Sequence, residues 1–233
     1  VGFVRPHVPL VAPKIYFTPY PIGKMVLPPK IPGDQDDIPR NSGNRRTTAN
    51  YQMDLNQQKG TLRAYYASVS FVDALVGKIL TALESTGQRD DTIVIFTSDH
   101  GYHLGEHDLW QKVSIHEESA KVPLIMRVPG KKPAVCHSLS ELIDLYPTVS
   151  RLCGLKIPGN LQGKDISGML DDPATKVRDA ALSSGKGRLL RTEKWALLDY
   201  GKEGELYDME KDPGQYDNLF DNSDYAEVLS DMR

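Results

Sequence analysis

The sequence predicts an α/β fold, in which helices cover a sheet, followed by a small antiparallel subdomain. Apolar residues recur at three- and four-residue spacing over residues 61–87, which predicts a helix that ends at Gly87. A run of β-branched and apolar residues at 93–96 follows after a short loop and is typical of a strand buried on both faces. Beyond Ala174, short strand-like segments alternate with turns, which indicates an antiparallel meander.

The remaining elements follow from local patterns along the chain. Residues 1–13 are interpreted as an apolar strand that enters a proline-punctuated loop, and residues 16–50 as a long surface loop rich in Pro, Gly and charge. A short helix, a strand, a second helix beginning near Asp144 and a final short helix are predicted at 115–121, 122–128, 144–154 and 224–233. We therefore divide the chain into a main α/β domain, residues 1–173, and a small α+β subdomain, residues 174–233.

Composition limits the classes of function. The 28 Lys and Arg residues nearly balance the 31 Asp and Glu residues, so no broad basic face is expected and nucleic acid and anionic membranes are poor partners. No apolar run approaches 18 residues, so we expect no membrane span.

The two cysteines, Cys136 and Cys153, lie among apolar residues and are interpreted as buried thiols, with a single disulfide between them as the alternative. The abrupt start at Val1 suggests a fragment or a processed chain.

The apolar strand at 93–96 stops at Thr97 and Ser98, and Asp99 and His100 follow directly. In open α/β sheets the carboxyl ends of strands are where ligands and metals bind, so this pair is predicted to bind a metal. The carboxylate suits a hard divalent cation, whereas imidazole favours zinc over calcium. Lys112 is predicted to contact, through its positively charged ammonium group, the anionic group that the reaction transfers. His7, in a proline-rich turn, is interpreted from its own context as a histidine bonded to backbone.

Residues 103–107 also match H-x-x-E-H, an inverted zinc-protease motif. That chemistry needs a helix to place both histidines on one face, whereas Gly101 and Gly105 flank and interrupt the segment. We therefore expect His103 and His107 to line the pocket or to pack structurally, with His103 a candidate substrate contact.

The same residues resemble the sulfatase family of the alkaline-phosphatase-like superfamily. The resemblance is carried in order by RAYYASVSFVDALVGKIL, SDHGYHLGEHDLWQK, EESAKVPLIMRVPG, ELIDLYPTVSRLCGL and ELYDMEKDPGQYDNL, and VGFVRPHVPLVAPKIYF narrows it to the iduronate-2-sulfatase-like branch. It implies an alkaline-phosphatase-like sheet with helices on both faces, and hydrolysis of sulfate esters such as a 2-sulfated uronic acid in a glycosaminoglycan. It also implies Ca²⁺ bound by Asp99 and His100, with Zn²⁺ or Mn²⁺ as alternatives, and sulfate contacts from Lys112 and His7, the latter also protonating the leaving oxygen.

One departure from the family pattern is large. The family's nucleophile is a formylglycine made within C/S-x-P-x-R, and neither Cys136 nor Cys153 has that context. We therefore expect the nucleophile in an N-terminal part of the same enzyme, and expect this chain alone to be inactive. The alternatives are a phosphate or phosphonate ester hydrolase of the superfamily, with a Thr or Ser nucleophile and two transition metals, and a non-catalytic subunit. A periplasmic, secreted or lysosomal location is implied by the resemblance alone.

Overall fold

The computed structural model describes residues 1–43 and 46–233, which divide into two units. Unit 1 consists of Val1–Lys30, Arg45–Val94 and Tyr102–Gln111, and unit 2 consists of Ile31–Asn44, Ile95–Gly101 and Lys112–Arg233. The segment after the predicted central strand therefore contributes to both units. The boundary predicted at residue 174 stays a prediction.

Helix α1, Leu55–Ser85, dominates unit 1. It begins six residues before the predicted start because Asp54 and Gln57 form a capping box. Gln57 N donates to Asp54 Oδ1 and Asp54 N donates to Gln57 Oε1, both at 2.8 Å. The helix stops before Gly87, whose φ of 69° is the left-handed conformation predicted for it.

Short 3-10 helices at Lys14–Phe17 and Ile22–Lys24 pack on α1. Tyr16 lies against Phe71 with ring centroids 5.2 Å apart, and Tyr20 lies against Tyr66 at 5.5 Å. Residues 1–13, predicted to begin as a strand, form turns instead, so that prediction was wrong. A strand needs a paired neighbour, and among the described residues no strand pairs with the segment before Pro6.

The expectation of no membrane-spanning segment stays a prediction. Within the described residues, α1 alone is long and apolar enough to cross a membrane, with 11 % of its most apolar window buried. Helices in the cores of soluble proteins meet the same criterion, so this is weak evidence for a span. The aromatic contacts above show that part of α1 packs against protein.

Unit 1 also contains a short antiparallel pair, β2 (His103–Leu104) and β3 (Trp110–Gln111). The indole Nε1 of Trp110 donates to Thr48 Oγ1 at 2.9 Å in the interior. This bond fixes the strand that immediately precedes Lys112.

In unit 2, β1 (Val94–Thr97) pairs with β4 (Leu124–Arg127). Both strands lie where the sequence predicts them, but they are not buried on both faces, because Phe96 is 38 % and Ile125 62 % exposed. A two-stranded sheet has too few neighbours within the described residues to cover both of its faces.

Two helices predicted in the middle of the chain are confirmed as α2 (Glu117–Ala120) and α3 (Leu145–Leu152). Asp144 occupies the N-cap position of α3, as predicted, but its side chain makes no capping bond to that helix. Its buried carboxylate instead accepts bonds from Glu141 N at 2.8 Å and Lys164 N at 2.7 Å. Glu141 forms the capping box of the 3-10 turn before α3.

The C-terminal part of unit 2 is the predicted meander. Strands β5 (Ala180–Ser184), β6 (Arg188–Thr192), β7 (Trp195–Asp199) and β8 (Gly204–Asp208) pair antiparallel in chain order, and α4 (Ala226–Asp231) follows. Leu197 and Leu206 pack with α4 on one side, while Leu198 and Tyr207 belong to a separate core cluster that includes Ile115. The sheet is thus anchored to the segment that follows Lys112.

The two cysteines differ from expectation, because both are free and exposed rather than buried. Cys153 follows the end of α3, and Cys136 lies in the loop after β4. Apolar neighbours in the sequence did not imply burial here because both positions lie outside the regular elements.

Candidate functional site

Asp99 and His100 lie in the turn that follows β1, as predicted. Gly101 fixes this turn against α2, because its backbone N donates to Ser119 O at 2.8 Å. A Cβ at this glycine would lie 2.0 Å from Glu118 O, so any larger residue would force the two segments apart. Ser98 Oγ supports the turn from the other side by donating to His100 O at 3.0 Å. The acid and the imidazole therefore stand on a braced turn.

The carboxylate of Asp99 is open to solvent, with 84 % of its side chain exposed. Its small degree of burial raises the pKa, but the electrostatic effect of His100, backbone donors and the charge of Lys112 outweigh it and hold the pKa of Asp99 below its usual value. The group is therefore an anionic oxygen donor at neutral pH.

The ring of His100 is oriented by one hydrogen bond. Its Nδ1 lies 2.8 Å from Gly101 O, and since a carbonyl can only accept, Nδ1 carries the proton. In the neutral ring the lone pair is then on Nε2, which lies 3.6 Å from Asp99 Oδ2. A backbone carbonyl that sets the tautomer of a histidine in this way is common around metal ligands.

Lys112 follows β3 directly and its side chain is exposed. Its charge contributes to the lowered pKa of Asp99, so the structure brings Asp99, His100 and Lys112 into one electrostatic environment within unit 2. The residue before it, Gln111, has a φ of 72°. A left-handed conformation at a residue with a long side chain is uncommon and marks this turn as a constrained one.

His7 belongs to unit 1 and is exposed. Its Nδ1 lies 2.7 Å from Val8 O and its backbone N donates to Val4 O at 2.9 Å, so it is the turn histidine that its local context predicts. Its predicted role at the sulfate stays a prediction.

His103 and His107 are both interior residues of unit 1, each 1 % exposed, with ring centroids 6.1 Å apart. The H-x-x-E-H segment is not a helix, because His103 lies in β2 and His107 has a φ of 54°. The rejection of a zinc-protease geometry is thereby confirmed. The substrate contact predicted for His103 stays a prediction, and in this structure the ring packs inside the unit.

Asp99 and His100 suit part of a metal site. Over residues 1–43 and 46–233, no group of three or more His, Cys, Asp or Glu side chains is arranged to hold a metal ion. Asp99 and His100 supply one exposed carboxylate and one oriented imidazole, which fits an incomplete coordination shell for a divalent cation.

One network in unit 2 was not predicted. His116 Nε2 lies 2.8 Å from Glu205 Oε2, and neither side chain has any exposed surface. Tyr207 and Tyr200 donate to the same carboxylate at 2.6 and 2.9 Å. Burial opposes the ionised form of Glu205, but His116 and the two phenols outweigh it and keep its pKa below the usual value. The partners are 89 residues apart in sequence, so no local pattern could have revealed them.

Known proteins resemble this chain over its full length. An arylsulfatase from Clostridium perfringens is 30 % identical over 254 residues, which cover 100 % of this chain and 51 % of that protein. Human iduronate 2-sulfatase is 30 % identical over 68 % of this chain and 36 % of its own length. The chain thus spans about half of the first relative's length and a smaller share of the second.

A solved structure, the phosphonate monoester hydrolase from Silicibacter pomeroyi, superposes with a TM-score of 0.88 at 26 % identity, covering 98 % of this chain and 53 % of the other. The predicted alkaline-phosphatase-like α/β fold class is confirmed. The model of the C-terminal region of N-sulphoglucosamine sulphohydrolase matches residues 105–233, and the sulfatase family model matches residues 2–155. Since that match covers well over half of the chain, this protein belongs to the sulfatase family.

Proposed function

We propose that this chain supplies one part of the active site of a sulfuric ester hydrolase that acts on a sulfated carbohydrate. The observation that carries the proposal is the braced turn after β1, where the exposed carboxylate of Asp99 and Nε2 of His100 face each other at 3.6 Å beside the charge of Lys112. Kinship with iduronate 2-sulfatase favours a 2-sulfated uronic acid as the substrate.

In this proposal Asp99 and His100 are two ligands of a calcium ion, with zinc or manganese as alternatives. When bound, the ion neutralises charge on the sulfate oxygens and on the attacking group. Lys112 holds a sulfate oxygen with its ammonium group, and His7 holds a second oxygen and gives a proton to the leaving alcohol. The sulfur–oxygen bond to the sugar breaks as the nucleophile's bond to sulfur forms.

The nucleophile is proposed to be a formylglycine from sequence outside these 233 residues. Neither Cys136 nor Cys153 lies in a C-x-P-x-R motif, and the relatives are about twice as long as this chain or longer. On its own, this chain would then bind ligands without turnover. A secreted, periplasmic or lysosomal location is part of the same proposal.

The test is Asp99→Ala in the complete enzyme that contains this chain. Loss of the only carboxylate in the proposed ligand pair should abolish binding of Ca²⁺ and lower kcat on 4-nitrophenyl sulfate by at least 10³-fold, which is about 4 kcal/mol of barrier. Calorimetry with Ca²⁺ and a sulfate-release assay measure the two effects. Asp217→Ala, at an exposed position of unit 2, is the matched control. Normal turnover in the Asp99 variant would contradict the site.

A second candidate function is the hydrolysis of phosphonate esters. It is supported by the TM-score of 0.88 to a phosphonate monoester hydrolase. Comparing kcat/KM for 4-nitrophenyl sulfate and 4-nitrophenyl phenylphosphonate in one preparation separates the two chemistries. Higher efficiency on the phosphonate would favour this alternative. If no N-terminal complement restores turnover on either ester, the chain is a non-catalytic subunit.

A further inference from the structure

We propose that a cavity in unit 1 binds the pyranose ring of the substrate and so selects the sugar that carries the sulfate ester. The cavity has a volume of about 510 Å³ and lies between the start of α1, the turn after His7 and the strand pair β2–β3. Its size falls within the range of cavities that hold small molecules. This inference rests on the proposed function, and it concerns a different set of residues.

Aromatic side chains form part of the wall, with Tyr51, Tyr102 and Trp110 all lining the cavity. Two of them are fixed. Tyr102 packs on Tyr65 with ring centroids 5.1 Å apart, and Trp110 is held through its Nε1 bond to Thr48. Burial, with smaller effects from Tyr51 and Tyr65, raises the pKa of Tyr102 to about 12, so its phenol keeps its proton. Rigid aromatic rings with a polar tip suit a pyranose, which has apolar C–H faces and a rim of hydroxyl groups.

Neutral polar groups complete the wall. Gln57 and Gln111 both line the cavity, as does Thr61. Gln57 Oε1 is used by Asp54 N in the capping box, so the amide NH₂ is the part of Gln57 outside the box and can donate to a sugar hydroxyl. Arg46 Nη1 donates to Gln111 Oε1 and, at 2.9 Å, to the hydroxyl of Tyr51, which holds two wall residues together.

The charge of the wall indicates which part of the substrate it takes. The eleven lining residues carry no formal charge, so the cavity suits the C–H faces and hydroxyl groups of the ring, and the sulfate and carboxylate groups of a sulfated uronic acid would lie outside it. Two of them, Val8 and Gln111, are the immediate neighbours in sequence of His7 and Lys112, the proposed sulfate-binding residues.

A glycine in the wall allows a sharp test. Gly60 lies on α1 at the cavity, and a Cβ placed there would meet no atom within 4 Å. Gly60→Leu fills the cavity without removing a contact, and it improves helix propensity by nearly 1 kcal/mol. Gly77→Leu is the matched control, because Gly77 lies on the same helix, also faces open space and does not line the cavity.

In the complete enzyme, Gly60→Leu should raise KM for a 2-sulfated uronic acid–glucosamine disaccharide at least tenfold. It should leave the inhibition constant of inorganic sulfate unchanged, since that anion has no ring. Gly77→Leu should change neither constant. An unchanged KM in Gly60→Leu, or equal losses for disaccharide and inorganic sulfate, would overturn the assignment.

Binding of an unsulfated sugar can be measured without turnover, so it tests the cavity independently of sulfatase activity. In the complete enzyme, calorimetric titration with the unsulfated disaccharide should show binding that Gly60→Leu abolishes and Gly77→Leu retains. No binding to the otherwise unaltered enzyme would refute the sugar site even if sulfatase activity is found. Binding without any activity would refute only the proposed function.

Discussion

At the scale of single residues, the histidines differ in role because their surroundings differ. His100 is oriented by a carbonyl and keeps Nε2 toward Asp99, whereas His116 is enclosed and paired with Glu205. His103 and His107 are enclosed as well. Only His100 and His7 combine accessibility with a defined ring orientation, which is why they carry the proposed chemistry among the histidines discussed above.

Lys112 gives a prediction at this scale. Lys112→Met in the complete enzyme removes the charge proposed to hold the sulfate, so kcat/KM on 4-nitrophenyl sulfate should fall by about 10²–10³-fold. Lys112→Arg should recover only part of the activity, because a planar guanidinium does not replace a compact ammonium group. Steady-state kinetics measure both.

The control for this prediction is Lys156→Met, at an exposed lysine after α3, which should keep wild-type kinetics. Full activity of Lys112→Met would remove Lys112 from the sulfate site.

At the scale of elements, the turn after β1 depends on its contact with α2. A carboxylate and an imidazole at the end of a strand could be anticipated from the sequence, because the apolar run stops at a definite residue. The close approach of Gly101 to Glu118 and Ser119 could not, because the 16 or 17 residues between them must fold back first.

Gly101→Ala tests that approach. The added Cβ would lie 2.0 Å from Glu118 O, so the turn and α2 must separate and the Gly101 N–Ser119 O bond weakens. We expect a loss of about 1–3 kcal/mol in the free energy of unfolding and weaker binding of Ca²⁺ in the complete enzyme. Urea denaturation and calorimetry measure these two quantities.

Gly159→Ala is the corresponding control, since a Cβ there meets no atom within 4 Å, and it should be nearly neutral. Equal stability of the Gly101 and Gly159 variants would show that the turn is not braced in the way described.

At the scale of the whole molecule, the buried carboxylate of Glu205 ties the meander to the segment that follows Lys112. His116 lies just before α2, and Tyr200 and Tyr207 belong to the meander, at the end of β7 and in β8. All three bond to Glu205, so a single buried acid joins distant parts of unit 2.

Glu205→Gln should therefore lower the free energy of unfolding by about 3–5 kcal/mol at pH 7, because it removes the carboxylate of the buried His116–Glu205 pair and leaves His116 without its partner. The pKa of Glu205 is lower in the folded state than its ordinary value of 4.5, so its stabilisation is complete above that pH and is lost as pH falls through the folded value. The difference between wild type and variant should consequently shrink below about pH 4.5. Urea unfolding at a series of pH values measures it.

Glu203→Gln, at an exposed position two residues away, should leave the pH dependence of stability unchanged. A pH-independent difference between wild type and Glu205→Gln would show that the carboxylate is not ionised in the folded protein.

The sequence by itself determined the local elements and the chemistry at the end of β1. Spacing of apolar residues specified α1, alternation with turns specified the four-stranded meander, and a run of motifs in order specified the family. These features are encoded within a few residues or within one contiguous motif. Tertiary structure alone decided the exposure of both cysteines, the His116–Glu205 pair and the aromatic cavity between α1 and β3. Each of these depends on which distant segments meet, and that is set by the packing of the chain rather than by any local pattern.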